Sequence, residues 1–125
     1  ASSGADTNVS LLMTGSNDTF LQQPAPVYRD NLRQILSVLQ DFNEHVGLGL
    51  LPPILGPGLP RYPRNSQSQV DGFNEVVQEL AADRGCLIAD FRGLGPHIAD
   101  TVHMRNEGYR RMAQIWYDRL NEAGL

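Results

Sequence analysis

The sequence predicts a three-layer α/β domain in which helices cover a parallel sheet. Two observations predict it. Three short apolar runs, at residues 9–13, 48–51 and 86–89, alternate with three longer stretches whose apolar residues recur at helical spacing. Each run is almost unbroken rather than alternating, as expected of strands buried on both faces. The 125 residues suffice for one domain, read as a polar tail over 1–8 and a folded unit over 9–125.

The first run, Val9-Ser10-Leu11-Leu12-Met13, ends before Gly15. Pro26 suits the first turn of a helix. Tyr28, Leu32, Ile35, Leu36, Leu39, Phe42 and Val46 then mark one apolar face, and Gly47 reads as its stop. The second strand is expected to end near Leu51, because Pro52 and Pro53 cannot donate to a ladder. Residues 56–68, rich in Gly, Pro and Ser, read as a loop. Ser66-Gln67-Ser68-Gln69 has capping-box spacing. Val70, Phe73, Val76, Val77 and Leu80 make a second amphipathic helix closed by Gly85. Cys86 opens the third strand and reads as a small buried hydrophobe. After a Gly- and Pro-punctuated loop over 92–102, a last helix spans about 105–122. Its apolar side carries Tyr109, Met112, Ile115, Trp116 and Leu120, with Trp116 and Tyr117 read as core and boundary.

Composition narrows the function. Net charge is −4, and the ten basic residues are all Arg and scattered, so no basic stripe for nucleic acid is present. No apolar run approaches the roughly 18 residues of a membrane span. Residues 1–8 lack the basic and apolar regions of a signal peptide, though a mature secreted chain would have lost one, so the compartment stays open. Cys86, the one cysteine, forms no internal disulfide. His45 and His97 lack metal-ligand spacing, and neither a metal nor an organic cofactor is expected.

In a parallel sheet the chemistry gathers beyond the carboxyl ends of the strands. Gly15-Ser16-Asn17-Asp18 follows the first strand, and Asp100-Thr101-Val102-His103 precedes the last helix. Acyl transfer needs a base for a hydroxyl and a donor for the oxyanion. His103 can be that base, Asp100 can accept from its Nδ1–H and fix the tautomer, and the Asn17 amide can donate. Asp18 braces the turn by accepting backbone donors. The plainer alternatives are an Asn-rich turn after a strand and an Asp near a helix N-terminus.

These two blocks resemble the G-x-N-D and D-x-x-H blocks of the SGNH (GDSL-type) ester hydrolase family. Leu50-Leu51-Pro52-Pro53 resembles its strand-to-Pro-Pro segment. Phe73-Asn74-Glu75-Val76-Val77 with Leu80-Ala81 and Arg84-Gly85 resembles its penultimate helix, and Ala89-Asp90-Phe91 the following strand end. His103-Met104-Arg105-Asn106-Glu107-Gly108-Tyr109 resembles the approach to its final helix, with Arg105 where members often carry Asn or Ser as a cap. The match runs from about Val9 to Gly124 and corresponds to the family's C-terminal half.

The resemblance implies a flavodoxin-like sheet, of which three strands and three helices are expected here. It also implies hydrolysis of acyl or acetyl esters of lipids or carbohydrates through a serine acyl-enzyme. His103 and Asp100 would be catalytic, with Asn17 and Gly15 on the oxyanion side. The family's G-D-S block, which carries the nucleophile, is absent from the sequence, so the nucleophile is expected outside this chain. Ser2 and Ser3 are weak substitutes on a tail. The chain alone is expected to be inactive. A second polypeptide, another copy or the upstream part of a longer product is expected to cover the strand from Val9 to Met13, whose apolar edge has no Lys, Pro or bulge to protect it. The alternative is a non-catalytic structural or interaction module derived from such a hydrolase.

Overall fold

A computed structural model describes residues 8–15, 23–54, 67–98 and 103–125. Strands β1 (Val9–Leu12), β2 (His45–Leu50) and β3 (Leu87–Asp90) pair in parallel in the order β1-β2-β3. Helices α1 (Ala25–Phe42), α2 (Gln67–Arg84) and α3 (Asn106–Glu122) connect and follow them, with a short 3-10 helix at Arg92–His97. The three-layer α/β class predicted from the alternation is the fold observed.

The two faces of β2 decide the layering. Side chains alternate across a strand. Val46, Leu48 and Leu50 therefore share one face, where they are buried with Tyr28, Leu32 and Leu36 of α1 and Val70, Phe73, Val77 and Leu80 of α2. Gly47 and Gly49 share the other face. A Cβ on Gly47 would lie 2.9 Å from Trp116 of α3, and one on Gly49 would lie 2.7 Å from Phe91. Phe91 meets Trp116 edge to face at 5.4 Å. One face is filled by branched side chains and the other by aromatic rings settled onto bare backbone.

Several element boundaries differ from those read in the sequence. The first helix ends at Phe42, not at Gly47, and Val46 and Gly47 belong to β2. The two-residue alternation of β2 is concealed because its second face is glycine, which scores as a breaker. Ile35 and Phe42, assigned to the helix core face, are exposed. β1 ends at Leu12, and β3 begins after Cys86. Gly85 adopts φ 70°, and the Cys86 N–H donates to Ala81 O at 2.9 Å, a Schellman closure of α2 that uses Cys86 as a cap. Cys86 is half-buried, and its burial raises the thiol pKa. The capping residue Ser66 lies outside the described residues. Trp116 is half-buried against the second core cluster and Tyr117 is exposed, as core and boundary require.

Asp90 ends β3 and folds back on Arg92. Its carboxylate accepts from Arg92 Nε at 2.9 Å, from Nη2 at 2.8 Å and from the Arg92 backbone N–H at 3.0 Å. The Arg92 side-chain hydrogen bonds hold the carboxyl below its ordinary value of 3.8. A depressed carboxylate contributes stability above its unfolded-state pKa and loses it as pH falls through the lower folded value. With half-exposed side chains on both partners the contribution is small. An NMR titration of Asp90 should show a midpoint below 3.8, returned upward by Arg92→Gln; an unmoved midpoint would contradict the pair.

The glycines give a sharper test. Gly49→Ala forces Phe91 and Met13 aside and should cost about 1–3 kcal/mol, as overpacking does. Gly72→Ala, inside α2 with open space around it, should instead stabilise by about 0.5–1 kcal/mol. Urea midpoints of the two variants should therefore move in opposite directions, and a shared direction would refute the packing described.

Candidate functional site

Parallel strands place all three carboxyl ends on one rim, since Leu12 lies beside Leu48, and Leu50 beside Asp90. Gly15 follows β1 on that rim. It is buried, with φ 133°, a backbone conformation that L side chains rarely adopt. A Cβ there would lie 3.0 Å from Leu51 Cδ1, 3.1 Å from Tyr28 Cε1 and 3.3 Å from Phe73 Cδ2. Tyr28 and Phe73 stack at 4.0 Å with their planes 4° apart. Glycine is thus demanded twice, by its dihedral and by the aromatic floor against it.

The neighbouring strand end is equally fixed. Asn74 of α2 is the one buried polar residue among those described. Its side chain accepts from the Leu51 N–H at 2.7 Å and donates to the Leu51 carbonyl at 3.0 Å. The amide thereby replaces the ladder partners that Leu51 loses as the chain leaves the sheet toward Pro52. A buried backbone pair without partners would cost several kcal/mol.

His103 reaches the same rim from the other side. Helix α3 runs back across the sheet: Gly108 in its first turn lies against His97 and Met104, beyond the carboxyl end of β3, whereas Trp116, two turns further on, lies over Gly47, which pairs with Leu87 at the start of β3. Its N-terminus therefore begins at the carboxyl rim, three residues after His103. An isolated antiparallel bridge joins Ile98 to Met104, and the Arg105 N–H donates to His97 O at 2.7 Å. These contacts pinch His97 and Ile98 against Met104 and Arg105, the residues that follow His103. Gly108 allows the pinch, because a Cβ there would lie 2.9 Å from both His97 and Met104. His103 is exposed, while Met104 beside it is buried with Phe91 and Leu94.

Gly15 and His103 are thus the two predicted site residues within the described parts, and both stand on the carboxyl rim. Asn17, Asp18, Asp100, Ser2 and Ser3 lie outside the described residues, as do residues 56–66 of the loop read in the sequence. Sequence reading did not single out Tyr28 or Asn74 as rim supports; an Asn within a core-facing helical stretch was the available signal. Among the described residues no cluster of three His, Cys, Asp or Glu side chains could hold a metal, and no helix is long and apolar enough to cross a membrane. An open depression of about 290 Å³ against Glu107, Arg110, Arg111 and Gln114 lies on one side of α3.

Comparison with known proteins gives the geometry a family. The model of the GDSL-like Lipase/Acylhydrolase family matches residues 1–111. The fold is similar to that of a lipase/acylhydrolase from Enterococcus faecalis, with a TM-score of 0.75 at 19% identity over 90% of this chain and 60% of that one. It is also similar to a member of the lipolytic protein G-D-S-L family from Veillonella parvula, with a TM-score of 0.71 at 23% identity over 88% and 61%. A catalytic mutant of an acetylxylan esterase from Geobacillus stearothermophilus gives 0.72 at 18% identity over 90% and 59%. The chain thus spans about 60% of the length of these structures. No curated protein matches it. With its family model matched over most of its length and its sheet and helices those of the family's solved structures, the chain belongs to the GDSL-like lipase/acylhydrolase family.

Proposed function

We propose that this chain is the part of a serine ester hydrolase that carries the base, its orienting carboxylate and one side of the oxyanion hole. The observation that carries the reading is the placement of G-x-N-D after β1 and D-x-x-H before α3 in a member of this family, with Gly15 and His103 on one rim. The substrates are acyl or acetyl esters of lipids or carbohydrates, and the acetylxylan esterase fold neighbour supports the acetyl option. His103 takes the proton of a serine hydroxyl as the oxygen attacks the ester carbonyl. It then returns that proton to the departing alcohol, leaving an acyl-enzyme that water cleaves by the same route. Asp100 accepts from His103 Nδ1–H. The Asn17 amide donates to the oxyanion from the turn that Gly15 opens and Asp18 braces, and the remaining oxyanion donors come from outside these residues. The serine comes from a segment outside these 125 residues.

The sheet edge supports an incomplete assembly. Among the described residues β1 is paired on one side only. Above it, α1 turns Arg29, Ser37 and Gln40 toward α2, pairing Arg29 with Glu79, Gln40 with the Arg84 carbonyl and Ser37 with Arg84 Nη1. The opposite flank of α1 carries Val27, Ile35, Val38 and Phe42, all exposed, with Phe42 at 75%. Below the sheet Leu11 and Met13 are exposed too. An apolar edge open in both layers is covered in the functional particle by another copy of the chain, an upstream segment of a longer product or a different protein.

A second reading, a non-catalytic module, is favoured by the missing G-D-S block. One experiment addresses both readings. The purified chain, assayed on a short-chain activated ester, should show no turnover above His103→Ala, and light scattering should give a mass above the 13.8 kDa monomer. Joined by a G-D-S-bearing segment of the family it should gain activity that His103→Ala lowers by about 10⁴-fold; a rebuilt, folded assembly that stays silent would favour the module. Robust turnover by the chain alone, abolished in His103→Ala, would place the nucleophile within it and turn attention to Ser2 and Ser3. A monomer whose Leu11 and Leu12 amides exchange freely would remove the support for association.

A further inference from the structure

We infer that Arg105 is a specificity-determining residue, selecting esters that bear a carboxylate close to the scissile bond. The inference rests on the reading of His103 as the base. Met104 stands in an antiparallel bridge with Ile98, and Arg105 is extended at φ −74°, ψ 165°. Side chains alternate along such a stretch, and Cα atoms two residues apart are separated by about 7 Å. Met104 is the buried one, so His103 and Arg105 leave the chain on the other side, and both are exposed. The base and a long cationic side chain therefore share one side of the backbone.

Among the described residues every other arginine lies within 4.0 Å of a carboxylate. Arg105 has no such partner among them. Glu107, two residues on, is shared by Arg110 at 3.8 Å and Arg111 at 3.5 Å. Arg105 also suits α3 poorly. It is the N-cap, where a Ser, Thr, Asn or Asp oxygen would accept from a first-turn N–H, yet a guanidinium has only donors and makes no capping bond. A cation there is repelled by the positive end of the helix dipole as well. A residue that breaks two local rules beside a candidate base is explained by what it binds. The guanidinium fork matches a carboxylate with two parallel N–H···O bonds, and an anion seated on it offsets the repulsion. A chain of net charge −4 favours that singly charged group over a doubly charged phosphate.

Sodium glucuronate, titrated into the ¹⁵N-labelled chain at constant ionic strength, should give saturating shifts at Arg105 Nε–H and the His103 ring, and glucose should give none. Arg105→Ser should abolish the His103 shifts and raise the urea midpoint, because serine caps α3. A merely structural Arg105 would move the midpoint alone. Arg110→Gln should leave the titration as it is, and so should His103→Ala at Arg105. Shifts that never saturate, that survive Arg105→Ser, or that are larger with inorganic phosphate would overturn the inference. In a completed, active assembly Arg105→Ser should lower the ratio of kcat/KM for a carboxylate-bearing ester over a neutral one by at least about tenfold, and an unchanged ratio would overturn it too. If glucuronate binds through Arg105 while a completed assembly stays silent, the carboxylate site stands and the hydrolase reading alone fails. Hydrolysis without glucuronate binding leaves that reading intact and overturns this one.

Discussion

Everything in this fold hangs on the two unlike faces of β2. Val46, Leu48 and Leu50 give one helical layer a branched surface to lie on, each side chain contributing about 1.5–3 kcal/mol by leaving water. Gly47 and Gly49 remove side chains from the other face, so Trp116 and Phe91 can reach the backbone. That close approach sets the height of α3 above the sheet. The height of α3 sets the pinch at Ile98, Met104 and Gly108, and the pinch delivers His103 to the rim. A methyl group on the floor of β2 therefore acts at the histidine, more than fifty residues along the chain.

Much of this was legible in the residues. The alternation of strands and helices, the loop after Leu51 and the closure by Gly85 each rest on a local signal. Strand β2 resisted because half of its pattern is glycine: a period of two looks broken when one face has no side chains, and Val46 was absorbed into the helix before it. Phe42 was misplaced for a related reason. Its spacing fits the core stripe, yet it lies at the last turn of α1, where the helix has passed the end of the core. The G-x-N-D and D-x-x-H blocks were visible as motifs, because their chemistry needs particular residue types at fixed short spacing. Their supports were not. Tyr28 holds Thr14 and Asn74 holds Leu51 across separations of 14 and 23 residues, and no local pattern encodes which backbone group a distant side chain will reach.

The exposed apolar surface connects fold to function. Val38 and Phe42 on one layer, and Leu11 and Met13 on the sheet below, lie toward the edge strand β1, which among the described residues is paired on one side only. That strand leads directly into Gly15. Whatever completes β1 therefore stands beside Gly15, and on the proposed reading that is where a nucleophile would arrive to meet His103. Coupling assembly to catalysis in this way would leave an isolated chain with a preset half-site and no reaction to perform, while Tyr28 and Asn74 keep the rim in shape.

The most direct measurement is the tautomer of His103, read by long-range ¹H–¹⁵N correlation in the chain and in Asp100→Asn. If the chain carries a base oriented by its carboxylate, neutral His103 holds its proton on Nδ1, and Asp100→Asn weakens or reverses that preference. A proton on Nε2 that is indifferent to the substitution would contradict the pairing of Asp100 with His103, and with it the claim that this chain brings a working base to the site.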